Sequence, residues 1–201
     1  MKKITIITSC IAITVFAAVI ACNSTDSSSK NQEGMVAEIS KDSLIRRGEY
    51  LVSIMGCHDC HSPKIFSPQG VSIDTVNMLG GHPSNMPLPP VDESNGKAWV
   101  LFNHHATAVV GPWGTTYAAN ITSDETGIAN WTEAQFFKAI REGKYKGMDN
   151  TRPLLPPMPW YMIAKATDED LKAVFAYLKS TPPVKNVVPP PVPPVQVAMK
   201  N

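Results

Sequence analysis

The chain has 201 residues, of which 43% are hydrophobic and 17% charged, with a formal net charge of +1 at pH 7. So balanced a charge gives no case for nucleic-acid binding. The length suffices for one domain with a proper core.

Residues 1–21 read as a secretory signal. Lys2 and Lys3 precede an apolar run from Ile4 to Ala21, broken only by the small polar Thr5, Thr8 and Ser9. About 20 apolar residues would span a bilayer. The flank that follows, Asn-Ser-Thr-Asp-Ser-Ser-Ser, carries no basic stop-transfer signal. Val19-Ile20-Ala21-Cys22 resembles the lipobox of bacterial lipoproteins, which implies cleavage before Cys22 and acylation of its thiol. Without residues 1–21 the chain carries 16 basic against 17 acidic residues. Residues 22–37, rich in Ser, Thr and Asn, read as a flexible tether. The expected folded unit is 38–183, and the proline-rich 184–201 is an expected extended tail.

Three helices are predicted. The first covers 41–55, with Leu44, Ile45, Leu51, Val52 and Met55 at helical spacing. The second covers 132–142, opened by a Thr132/Gln135 capping box and stopped at Gly143, with Phe136, Phe137 and Ile140 inward. The third covers 168–180, capped at Thr167 and ended by Pro182, with a stripe of Leu171, Val174, Phe175 and Leu178. Between His61 and Trp131 prolines and glycines dominate, and 99–102 and 107–110 are short strand candidates. So long an irregular stretch carries function or wraps something.

The first helix delivers the chain to Cys57-His58-Asp59-Cys60-His61. Cys-x-x-Cys-His is the attachment pattern of a c-type haem: two thiols at the vinyl spacing, followed by a histidine placed to ligate iron. A thioredoxin-like redox pair would need a βαβ context, and a zinc site a second Cys/His pair; neither is present. One such motif implies one haem. The cysteines then divide completely: Cys10 leaves with the signal, Cys22 takes lipid, and Cys57 and Cys60 take haem, leaving none for a disulfide.

His61 is the expected proximal ligand, its other ring nitrogen donating to a carbonyl. For the distal position a thioether suits electron transfer. Met35 lies in the tether, Met199 in the tail and Met55 on the first helix. Of Met78, Met86, Met148, Met158 and Met162, the choice falls on Met158, which prolines flank in Pro157-Met158-Pro159. Met86, before Pro87, ranks second. His82, His104 and His105 are the alternative nitrogen ligands, and His58 is expected to point outward. Lys64, Lys144 and Lys146 are candidates for the rim of the site, against an ordinary reading as surface charge. Trp131 is either a staple before the second helix or part of the pocket wall.

These motifs together resemble single-haem c-type cytochromes with His/Met ligation. More narrowly, the chain resembles the cytochrome subunits that serve exported alcohol, aldehyde or similar dehydrogenases. The resemblance covers 44–184. Its carriers are Arg47-Gly48-Glu49-Tyr50-Leu51, the middle segment Asn120–Thr132, Pro157-Met158-Pro159, and the run from Asp170-Leu171 to Pro182-Pro183-Val184. The middle segment departs at Ser123, often proline, and Ala129, often glycine. The family implies a mainly α fold, cytochrome c-like, with three main helices around a covalent haem; here a long irregular insertion precedes the second. It also implies a close crossing of the last helix at Gly48, near Phe175 and Tyr177. The implied function is one-electron transfer from a donor such as an exported dehydrogenase to a terminal oxidase or another cytochrome. Membrane attachment would be through lipid on the periplasmic or cell-surface side. The rival readings are a haem enzyme or gas sensor with an open sixth iron position, and a fixed cytochrome subunit of a dehydrogenase complex.

Overall fold

The computed structural model describes residues 40–194. The signal, Cys22, the tether, Met35 and Met199 lie outside the described residues.

Helix α1 (Lys41–Ile54) begins where the Ser40 hydroxyl accepts from the Ser43 N–H. It leads into the short α2 (Cys57–His61). A hairpin follows, β1 (Lys64–Ser67) with β2 (Gly70–Ile73), and then α3 (Glu93–Ala98). Strands β3 (Leu101–Phe102), β4 (Ala108–Gly111) and β5 (Gly114–Tyr117) form an antiparallel sheet in the order β3-β4-β5. Helix α4 (Glu133–Glu142), a 3-10 turn (Tyr145–Gly147), the one-turn α5 (Trp160–Ile163) and α6 (Asp168–Ser180) complete the chain.

The predicted helices are present. Thr132 and Gln135 close the capping box in both directions, Gly143 ends α4 with φ 64°, and Thr167 caps α6. Helix accounts for 35% of the structure, so the helical expectation describes the core and not the insertion. Within the insertion, the two strand candidates correspond to β3 and β4, each shifted by a residue or two. The hairpin β1–β2 was not predicted, although Ser67-Pro68-Gln69-Gly70 between two apolar-containing runs is a legible turn signal.

The core joins Leu51 and Val52 of α1, Phe136 and Ile140 of α4, and Leu171, Ala173, Val174 and Leu178 of α6 with Leu79 and Ile128 from the connecting chain. Phe175 is only half-buried, stacked on Phe136 with centroids 5.1 Å apart. The crossing at Gly48 is real, but its partners are Ala173 and Tyr177: a Cβ on Gly48 would lie 1.9 Å from the Ala173 carbonyl oxygen.

Residues beyond 183 are extended, as their prolines dictate, yet they are tied to the body. The Asn186 side chain donates to the carbonyls of Gly80 and His82 at 2.7 and 2.9 Å. Val192 exchanges both backbone hydrogen bonds with Thr115. The chain is therefore integral to the fold through at least Val192. Asn120, buried in the middle segment, strengthens the same junction: its Nδ2 donates to the Val184 carbonyl at 2.7 Å, and its Oδ1 accepts from Thr122. Asp124 is engaged in a local turn, accepting from the backbone and hydroxyl of Thr126.

Candidate haem-attachment site

Gly56, at φ 70°, ends α1 and turns the chain into the Cys-His-Asp-Cys-His helix. A left-handed residue there is natural for glycine. Cys57 and Cys60, one helical turn apart, are both free thiols and half-buried. Burial pushes the Cys57 thiol up to about 11 and raises Cys60 as well. Both are therefore protonated thiols at neutral pH. Among the described residues no group of three or more His, Cys, Asp or Glu side chains is placed to hold a metal ion.

His61 Nδ1 donates to the carbonyl of Ala119 at 2.7 Å. A carbonyl only accepts, so Nδ1 carries the proton and Nε2 keeps its lone pair. This is the tautomer a proximal ligand needs, held by the backbone acceptor expected for it. Desolvation holds the ring below the usual histidine range. The insertion supplies this orientation. Gly81 N–H donates to the His61 carbonyl, and His82 N–H to the Ala118 carbonyl. Gly81, at φ 78°, lies so close to Ala118 and Ala119 that a Cβ would be 2.4 Å from the Ala118 oxygen. The irregular stretch thus wraps the motif's histidine, which sequence reasoning did not foresee in detail.

Lys64 departs from the reading as ordinary surface charge. Its ammonium is half-buried and donates to the carbonyls of His58 and Asp59 at 3.1 and 3.0 Å, and to those of Ser62 and His105. Three of these carbonyls, those of His58, Asp59 and Ser62, lie at the C-terminal end of α2, where a cation also meets the helix dipole favourably. Lys64 is a cap for the motif. His58 likewise turns inward: it is half-buried, with Nδ1 paired to the Ser62 hydroxyl at 3.1 Å, and that hydroxyl accepts from Leu79 N–H. Lys144 is half-buried, and Lys146 is exposed with its ammonium over the Tyr145 ring.

The methionine candidates separate by environment. Met148 and Met162 are exposed. Met158 is half-buried and packs against the core together with Met55, Cys57, Met78 and Trp131. Met86 is half-buried beside Asn103. Among the histidines, His82 is fully buried with both ring nitrogens engaged, Nε2 with the Met86 carbonyl and Nδ1 with the Thr107 hydroxyl. It has no nitrogen left for iron. His105 Nδ1 accepts from Lys64 N–H, and its ring stacks near His104 and Phe66. Trp131 packs on the core cluster that also holds Phe137 and Met158.

Burial holds His82 below its usual pKa, as it does His58 and His105. A base depressed in the folded state stabilises the fold above the unfolded value, about 6.5, and that contribution is lost as pH falls toward the folded value. The melting temperature should therefore decline below about pH 6.5, before carboxylates titrate. His82→Gln should flatten that decline. An unchanged pH slope in the variant would exclude His82 as a contributor.

No family model matches the chain. It is 34% identical over 137 residues to the gluconate 2-dehydrogenase cytochrome c subunit of Pantoea cypripedii, covering 68% of this chain and 23% of that protein. It is 27% identical over 142 residues to the cytochrome c subunit of a quinone-type alcohol dehydrogenase of Gluconobacter oxydans, covering 70% and 22%. It is 41% identical over 73 residues to the fructose dehydrogenase cytochrome subunit of Gluconobacter japonicus, covering 35% and 14%. The chain spans less than a quarter of the length of these relatives. Over about two thirds of its own length, then, it is similar to cytochrome c subunits of dehydrogenases.

Proposed function

We propose that this protein is a lipid-anchored, single-haem c-type cytochrome that passes single electrons between redox proteins. The observation that carries the reading is the conjunction at Cys57–His61: two free thiols at vinyl spacing beside a histidine whose Nδ1 is committed to a backbone carbonyl. The donor set fits a haem. Cys57 and Cys60 would hold the group covalently through its vinyl substituents. His61 offers Nε2, and the softer Met158 thioether offers the second axial donor. The bound haem supplies the one-electron Fe(III)/Fe(II) couple.

The protein's own part is orientation and closure. Ala119 orients the imidazole, Lys64 fixes the C-terminal end of α2, and Met158, in its proline-flanked loop, packs against the core. With both His61 and Met158 as donors, a bound haem would have no position left for a substrate, which favours a carrier over an enzyme or gas sensor. The relatives are named as dehydrogenase subunits, which favours a standing association with a dehydrogenase over a freely diffusing carrier. The acceptor is a terminal oxidase or another cytochrome. Cys22 carries the lipid, on the periplasmic or cell-surface side.

The testing experiment is haem staining of the exported protein on a denaturing gel, with Cys57→Ala/Cys60→Ala beside it. The wild type should retain haem through denaturation and the double variant should lose it. A haem-free wild type, exported in a host competent for cytochrome c maturation, would sink the reading. Copurification with a dehydrogenase would separate subunit from free carrier.

A further inference from the structure

Resting on the His61/Met158 reading, we infer that Thr116, in the insertion, is a positioning residue for Met158: its hydroxyl latches the loop that carries the thioether.

Pro156 and Pro157 have no N–H, so this loop cannot pin itself by a regular ladder. Its own backbone bonds are sparse: Leu154 N–H donates to Gly143 at 2.7 Å and Met158 N–H to Leu155 at a long 3.3 Å. The insertion supplies what is missing. Thr116 Oγ1 donates to the Pro156 carbonyl at 2.8 Å, two residues before Met158. Thr116 is 7% exposed. A hydroxyl has one proton, and the competing acceptor, the Val109 carbonyl, stands at 3.4 Å, so the bond goes to Pro156. The hydroxyl oxygen in turn faces Trp113 Nε1 at 3.4 Å.

The platform behind Thr116 is stiff. The neighbouring Thr115 is bound to Val192 on both backbone groups, at 2.7 and 2.9 Å. Gly114, at φ 97°, admits that strand so closely that a Cβ would sit 2.1 Å from the Val192 oxygen. On the loop's other flank the Trp160 indole lies against Gly143, where a Cβ would be 2.5 Å from the ring. The loop is thus clamped between α4's end and the sheet. A thioether is a weak ligand, so its fractional release follows the freedom of the loop that carries it.

The test uses the full-length, haem-loaded protein as wild type, Thr116→Val, Thr116→Ser, Met158→Ala and Leu178→Ala. The last is a core truncation in α6 that destabilises without touching the latch. Carbon monoxide binding to the reduced protein, the weak far-red sulfur-to-iron(III) band and the melting temperature are read for each. Thr116→Val should bind carbon monoxide about tenfold more readily, the population change expected for one lost hydrogen bond. Its far-red band should weaken, and Thr116→Ser should restore both. If Thr116→Val does not accumulate, Trp113→Phe should move both readouts the same way by a smaller factor. Wild-type values in Thr116→Val, or an equal change in Leu178→Ala, would overturn the latch while leaving Met158 as ligand. A wild-type spectrum unchanged in Met158→Ala would overturn the ligand assignment and the latch with it.

Discussion

Replacing Met158 with alanine should abolish the far-red sulfur-to-iron(III) band and open the sixth iron position to carbon monoxide. His82 has both nitrogens engaged, Met148 and Met162 face solvent, and Met86 sits in a separate loop whose carbonyl is bound to His82. A thioether favours the reduced state, so its loss should lower the reduction potential. The fall should exceed one tenfold step in the oxidised-to-reduced ratio, about 59 mV for a one-electron couple. The check is a spectroelectrochemical titration of both proteins with carbon monoxide difference spectra. A variant retaining the band and the potential would move the assignment to Met78 or Met86.

Gly48→Val should severely destabilise the fold. The Cβ itself would stand 1.9 Å from the Ala173 carbonyl oxygen and 2.6 Å from Tyr177 Cβ, so no side-chain rotamer relieves the clash. Helices α1 and α6 must separate there, exposing Leu51, Val52, Leu171 and Val174, all essentially buried. Overpacking alone costs about 1–3 kcal/mol. Backbone contact and the uncovered core put the expected loss at roughly 3 kcal/mol or more. For a domain of this size that is a fall of roughly 10 °C in the melting temperature. Gly48→Ala should already show most of it, since the clash begins at Cβ. A Gly48→Ala protein melting within about 2 °C of wild type would show that the helices can slide apart cheaply.

Helix boundaries were legible because each carries its own punctuation. Thr132 with Gln135 and Thr167 with Asp170 satisfy free N–H groups within three residues, and Gly143 ends α4 from its own left-handed geometry. The apolar stripes were legible for the same local reason, although Ala173 escaped notice. A small residue shows its importance only when a glycine on another helix faces it. The insertion was less readable because its strands are two to four residues long, too short for alternation to accumulate. Lys64 illustrates the limit. On paper it is one of several lysines, and only the folded chain brings four carbonyls around its ammonium.

By itself the sequence determined the Cys-x-x-Cys-His motif, the three core helices and a short list of candidate iron donors, because spacing, caps and proline flanks act over a few residues. Tertiary structure alone decided which nitrogen of His61 is free, since its partner Ala119 is 58 residues away. It also decided that His82 is a pin, that Lys64 is a cap, and that Thr116 reaches a carbonyl 40 residues on. Each depends on two distant segments meeting at hydrogen-bond distance. Such meetings are set by how the proline- and glycine-rich insertion folds back on the core, for which no periodic pattern in the chain provides a signal.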